Sequence, residues 1–479
     1  MASTTSVAKE GLKWNQHHDS SDNTAKIDVL ELEAAGYTQA MPRQFSIWSL
    51  GALSFTLTCT WLGSGASIGI GLAEASGAGA LWSLLVAGVM TLIVSAGMAE
   101  LASAYPVAGA QYYWSFMVAS EKYKPFASYI NGWMSILGWW LAIGSVSNFV
   151  ASMIMQIASV WYSFETQRWQ LYLLYVGVIW LSVAMNILGS RLLPYYSQLI
   201  FVLAVLTLGS TMITLFVVAR NNHASPSFMF TDTTSQSGWS NEGFTFLLAV
   251  GNAVFGYMGS DCGAHLCEEI ANPSKHVPKV IMMPLVMGLL TAFPFAASLI
   301  YSIKDLPAVL SADMPLMEIY YQGTGSYVAA SILLGFFAFC MFGCVVAVGK
   351  LTLTPATSCV IPQAILLCRN RDEVLPERYF SLGKFGVVVN VISVAWVVFL
   401  DVLYCFPVFR PVTPENMSYV SVVLVGLLSI VVIIWFTTKK GKFTGPKINL
   451  ELMNERRRAA LNAELGEEAW EKGQLSQGR

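Results

Sequence analysis

Trp61-Leu62-Gly63-Ser64-Gly65-Ala66-Ser67-Ile68-Gly69 lies within one long apolar run, and Phe255-Gly256-Tyr257-Met258-Gly259-Ser260-Asp261 lies within another. Each run is long enough to cross a bilayer as a helix, which takes roughly 20 residues. Each also carries a glycine pair, although glycine costs a helix about 1 kcal/mol relative to alanine. Unwound backbone at membrane depth is tolerated only where protein buries it or where it lines a cavity. A pair of such interruptions at corresponding places in two halves of a chain points to a substrate site near the bilayer midplane. The bland alternative is that small residues only let helices pack closely. Two glycine pairs in register, with Asp261 beside one of them, favour the site.

Outward from these stretches the chain stays apolar. Of 479 residues, 55% are hydrophobic and 12% are charged, with a mean hydropathy of +0.56. A soluble chain carries about 25% charged residues. Apolar helices are predicted at 46–73, 79–104, 125–159, 170–189, 193–219, 243–267, 280–303, 327–352, 385–407 and 417–437. A further apolar piece, 355–368, carries Pro355 and Pro362 and is too short to cross. The fold class expected is therefore an all-α integral membrane protein of the inverted-repeat, broken-helix type. It would have about ten full transmembrane helices and one short re-entrant or interfacial segment.

The organisation follows. Residues 1–44 are polar, without the apolar core of a signal peptide, and form an expected cytoplasmic tail. Residues 45–219 would be a first five-helix repeat, 242–368 a second and incomplete one, 385–437 the last two transmembrane helices, and 438–479 a cytoplasmic C-terminal tail. With the N-terminus inside, the short inner loops hold Lys122, Lys124, Arg191, Lys275, Lys279, Lys350, Arg369, Arg371, Arg378 and Lys384. The outer loops hold only Arg168, Arg220, Lys304 and Arg410. That asymmetry obeys the positive-inside rule, provided that 355–368 enters and leaves on the cytoplasmic side. The plasma membrane is the expected location, with vacuolar or other internal membranes as the alternative.

Other function classes find little support. The net charge is −2, and the one dense basic run, Arg456–Arg458, is followed by Glu464, Glu467 and Glu468, so nucleic acid is not an expected partner. The eight cysteines match no metal or redox spacing and read as buried free thiols. No nucleophile–base pair or metal-ligand cluster stands out, His265 beside Asp261 lacks a partner that makes a reaction, and no cofactor is implied. The expected partners are a small-molecule substrate and the lipid bilayer.

The chemistry of the interruptions comes from helix ends. Where the first helix restarts after Gly65, free N–H groups and the positive end of the dipole favour a carboxylate. Where the first half of the sixth helix stops, free carbonyls favour an ammonium group, so the pair makes a socket for a zwitterion. Asp261 is a functional candidate because ionisable groups inside membrane helices are costly. It could equally be a structural acceptor bridging the broken backbone. Glu268 and Glu269 end the sixth helix at the inner surface; they either pair with Lys275 or Lys279 as a gate or mark the end of the span. Asp401 lies near the outer boundary and reads as interfacial. Trp61, Phe255 and Tyr257 flank the breaks and could enclose an apolar side chain or the face of a cation.

At these residues a resemblance becomes specific. Residues 36–46 (Gly-Tyr-Thr-Gln-Ala-Met-Pro-Arg-Gln-Phe-Ser), Ala99 to Pro106 with Gly109-Ala110-Gln111-Tyr112-Tyr113-Trp114, Asp261 to Pro273 with Val277-Pro278, Arg378 to Gly383, and Pro411 to Met417 together resemble the amino acid–polyamine–organocation superfamily. Within it they resemble the fungal amino acid/choline transporters that include GABA permeases. The resemblance implies two inverted five-helix repeats plus two helices working by alternating access. It also implies that Gly63, Ser64 and Gly65 hold the substrate carboxylate, that carbonyls around Phe255 and Gly256 meet the amine, and that Met258 and Gly259 line the pocket. Asp261 and Glu268 are the candidates for gating or coupling.

Three departures stand out. Ala110 replaces a second glycine, and helix 193–219 carries no charge that could stand in for a coupling ion. After Thr352 the chain runs almost directly into Val360-Ile361-Pro362, so roughly two helices' worth of the family pattern is missing, minus a stub. The function expected is secondary active transport of amino acids or related small amines such as GABA, with proton coupling implied by the resemblance alone. The rivals are a choline, other quaternary-amine or polyamine transporter, and a non-transporting amino-acid sensor or inactive truncated permease.

Overall fold

The computed structural model describes residues 60–446, apart from 189–192, 266, 268–269, 271, 352–355, 370, 377 and 415. The first predicted helix therefore enters the description partway, as α1 (Thr60–Ala66), and continues beyond Ser67 into α2 (Ile68–Ala104). The backbone of α2 leaves helical geometry at Ala75 (φ −147°, ψ 26°) and Ser76 (φ 54°, ψ −163°). This is where the first crossing turns back into the second. A positive φ at a serine costs on the order of 1–3 kcal/mol. The Ser76 hydroxyl offsets part of that by donating to Asp232 Oδ2 (3.0 Å), while Ala78 N–H donates to the Asp232 carbonyl (3.2 Å).

Next come α3 (Ala110–Val118), α4 (Lys124–Tyr162), α5 (Arg168–Leu188), α6 (Leu193–Val218), α7 (Glu242–Val254) and α8 (Pro273–Tyr301). They are followed by α9 (Tyr327–Leu351), α10 (Ala356–Leu367), α11 (Gly386–Leu403) and α12 (Val420–Ile434). Among the described residues nine stretches are long and apolar enough to cross a membrane. The predicted first helix is not among these nine, because its earlier half lies outside the description. All regular structure among the described residues is helical.

Two predicted boundaries move. The seventh crossing starts at Pro273, not near 280, because Pro273 occupies the first turn, where a missing N–H costs nothing. Between the predicted crossings lie short helices at Pro226–Phe230, Leu306–Ser311 and Pro315–Thr324. Their signals are local: Ser225 and Asp305 cap the first two through Phe228 N–H and Ala308 N–H, and Gly325 (φ 68°) closes the third.

Helix α2 packs on α1, α7 and α8, α8 also packs on α1, and α9 packs on α4, α5 and α6. Segment α10 has 12 residues, about 18 Å at the helical rise, too short to span. It inserts between α3 and α11, and its fully buried Gln363 donates to the Val94 carbonyl of α2 (3.1 Å). Among the described residues six cysteines are free, and four of these are buried, as the sequence suggested; Cys344 departs from that reading because it is disulfide-bonded.

Candidate functional site

The sixth crossing breaks where its glycines lie. Helix α7 stops at Val254, one tight turn covers Phe255–Tyr257, Met258 is extended (φ −60°, ψ 143°) and Gly259 takes φ +84°. A short helix then resumes over Cys262–His265. The positive φ explains Gly259: a side chain there would force the left-handed region. The C-terminal carbonyl end of α7, with its negative dipole, is thereby left at depth in the protein.

The first crossing differs from expectation. Gly63, Ser64 and Gly65 stay helical within α1, and the interruption is a single turn at Ser67 (φ −98°, ψ 7°). The Ser67 N–H and hydroxyl both donate to the Gly63 carbonyl (3.1 and 3.0 Å), which stitches the turn to the preceding helix. Asn252 of α7 donates from Nδ2 to the Ser67 carbonyl (3.2 Å), tying the two interrupted crossings together.

The glycines of α1 serve approach instead. A Cβ on Gly63 would lie 2.7 Å from the Gly256 Cα, and one on Gly256 would lie 3.1 Å from the Thr60 carbonyl oxygen. Gly65 is covered by the rings of Phe337 and Phe295. Trp61 is buried against the same two rings, edge to face at 5.3 and 5.2 Å, and so packs the core instead of flanking a substrate. Because backbone atoms yield little, Gly63→Ala is expected to cost about 1–3 kcal/mol. Gly256→Ala, with a looser fit, is expected to cost less. Thermal unfolding of purified protein in detergent should rank the midpoints wild type, Gly256→Ala, Gly63→Ala in falling order; a reversed order would mean the α1–Gly256 contact is not the tight one.

A cavity of about 450 Å³ lies beside both interruptions. The sequence candidates Phe255, Met258, Gly259 and Asp261 line it, whereas Gly63, Ser64, Gly65 and Gly256 do not. Residues passed over in the sequence complete it: Ser67 and Ile70 at the α1–α2 turn, Phe149 of α4, and Trp396, Leu400 and Tyr404 from α11 and its end. Phe149 and Phe255 meet at 5.6 Å, and the Tyr257 hydroxyl donates to the Leu84 carbonyl (3.0 Å). Ser67 and Ile70 mark the N-terminal, positive end of α2, two residues later than the glycines had suggested.

Asp261 is the one charged residue among those lining the cavity. It is buried, and its Oδ2 accepts from Gln111 Nε2 (2.7 Å) and lies 3.5 Å from His265 Nε2. His265 Nδ1 is 2.8 Å from the Ala108 carbonyl, which can only accept, so the proton sits on Nδ1. Glu268 and Glu269 lie outside the described residues.

A cavity with helix ends of both signs, a carboxylate, aromatic walls and no basic group suits a small amine. Residues 45–349 match the sequence model of a family described as amino acid permease. The choline transporter of Saccharomyces cerevisiae is 26% identical, over 84% of this chain and 82% of its own. Amino-acid permease BAT1 of Arabidopsis thaliana is 25% identical, over 88% and 96% respectively. Among solved structures, a nucleobase–cation symport family transporter in a closed conformation, with bromovinylhydantoin bound, aligns with a TM-score of 0.42 at 12% identity, over 88% of this chain and 94% of that one.

Proposed function

The chain belongs to the amino acid permease family, and from that premise we propose that it carries small amine-bearing substrates, amino acids or GABA among them, by alternating access. It is a multi-pass membrane protein and a transporter by family, not an enzyme. The observation that carries the substrate reading is the cavity: both interrupted crossings reach it, and among the described residues Asp261 is its only charged lining residue. The amine would sit between Asp261 and the carbonyl end of α7, and a substrate carboxylate would face the positive end of α2 at Ser67–Ile70.

One feature favours a second substrate class, a quaternary ammonium. Among the described residues, the rings of Phe149, Phe255, Tyr257 and Trp396 share the cavity with a carboxylate and with no cation, a setting suited to an ion without a carboxylate. The yeast relative named as a choline transporter fits that reading.

Four finer points belong to the same proposal. Residues 45–219 and 242–368 act as two repeats, the second shortened after Thr352. Both termini face the cytoplasm, on the strength of ten basic residues in inner loops against four in outer ones. The plasma membrane is the site of action, and uptake is driven by the proton gradient, with Asp261 or Glu268 as the coupling or gating acid. Uptake of labelled GABA, amino acids and choline by tagged protein in permease-deficient cells, with and without a protonophore, tests all of this. Saturable uptake of one class, abolished by the protonophore, is expected. Correct delivery to the membrane with no uptake of any of them would favour a sensor or an inactive permease.

A further inference from the structure

A second cleft, of about 480 Å³, lies away from the substrate cavity, between the end of α10 and the start of α11. Among the described residues, the charged ones lining it are Arg369, Arg371 and Lys384, all cationic. Arg371 is buried and engages Glu100 of α2, so its charge is shared. Arg369 anchors by donating from Nη1 to the carbonyls of Val118 and Ala119 (3.2 and 3.0 Å), both neutral acceptors. Lys384 is exposed and has no ion-pair partner among the described residues.

Asn390 supplies an independent sign of a ligand. It is 2% exposed and lines the cleft, yet its side-chain amide has no hydrogen-bond partner among the described residues. Its amide opens on the cleft, so a group that accepts an N–H would find a donor already in place there. A guanidinium, an ammonium and an amide N–H converging on one space are three kinds of donor to a phosphate, and arginine offers its fork to two phosphate oxygens at once.

The walls identify the carrier of that phosphate. Leu366, Leu367 and Val387 form the apolar part of the cleft, and Leu367 and Val387 are 36% and 52% exposed. A soluble anion gains nothing from such walls, whereas an acyl chain does. We propose that this cleft binds the phosphate of an anionic membrane lipid, with Arg369, Lys384 and Asn390 on the headgroup and an acyl chain along Leu367 and Val387. Basic pockets between membrane helices on the cytoplasmic side suit such headgroups. The inner loop to which the basic-residue asymmetry assigns Arg369, Arg371 and Lys384 lies on that side.

Native mass spectrometry of the full chain, released from nanodiscs of mixed phosphatidylserine and phosphatidylcholine, tests the proposal. Wild type is expected to retain phosphatidylserine over phosphatidylcholine by at least about tenfold. Each basic residue near a membrane surface is worth about fivefold in anionic-lipid binding. Lys384→Gln, an exposed change that leaves the fold alone, should therefore lose about fivefold of that preference, and Lys384→Gln with Arg369→Gln about 25-fold. Equal retention of the two lipids by wild type, or an undiminished preference in Lys384→Gln, would overturn it. Displacement of the lipid adduct by millimolar inorganic phosphate, at unchanged detergent, would also overturn it by making a soluble anion the occupant.

Discussion

Glu100→Ala is expected to destabilise the protein by about 3–5 kcal/mol, the largest effect of any single substitution outside the cavity. Glu100 lies near the C-terminal end of α2, 1% exposed, and serves two arginines at once. Its Oε1 accepts from Arg378 Nε and Nη2 (2.9 and 2.5 Å) and from the Leu382 N–H (3.2 Å), while Oε2 meets Arg371. Removing the carboxylate leaves two largely buried guanidinium groups without their shared counter-charge, and breaking a buried pair from one side costs far more than the pair contributes when intact. The network also holds the segment after α10 against α2, since Ser103 of α2 accepts from the Phe380 N–H (3.0 Å) nearby. The measurement is thermal unfolding followed by fluorescence size exclusion, with Glu100→Gln alongside. Glutamine keeps an acceptor but not the charge, so it should fall between wild type and alanine. Alanine melting with wild type would mean the arginines find other partners.

Asp261→Asn is expected to leave the fold intact and to weaken uptake by about 30-fold, chiefly through apparent affinity. Asparagine has the shape of aspartate, and its amide oxygen still accepts from Gln111 Nε2, so the bond at 2.7 Å survives. What disappears is the only carboxylate among the described residues lining a cavity walled by Phe149, Phe255 and Trp396. Truncating one partner of a buried charge pair costs on the order of 2–5 kcal/mol, and about 2 kcal/mol is already near 30-fold in binding. Uptake kinetics on cells with matched surface expression separate the two roles open for this residue. A raised KM with wild-type melting identifies a counter-ion for the substrate. An unchanged KM with lowered stability identifies a structural acceptor, and the amine would then need another site.

Much of the architecture was legible because it is written in long-range composition. Runs of 20 or more apolar residues gave the crossings, and Gly256 with Gly259 marked the break in the sixth, where the backbone does need a positive φ. The first break was displaced from Gly63–Gly65 to Ser67, because glycine spacing reports both unwinding and close packing, and in α1 it reports packing on Gly256. The Asn252–Ser67 bond and the contribution of Trp396 and Tyr404 to the cavity were not readable, since the bond joins residues 185 apart and the two aromatics lie 135 or more residues beyond Asp261, leaving no periodic signal. The helices Leu306–Ser311 and Pro315–Thr324 fell below any window tuned to a bilayer, although their caps were visible.

The tie between the two interruptions bears on mechanics. Asn252 clasps the turn at Ser67, Gly63 rides on Gly256, and the Tyr257 hydroxyl is moored to Leu84 of α2. Force applied to either interruption is thus handed directly to the other, with no slack between them. The two breaks therefore form one stiff keel, and a cycle that opens the cavity first to one side and then to the other has to tilt that keel as a whole against the helices around it, its joints lying at the rim and not at the glycines.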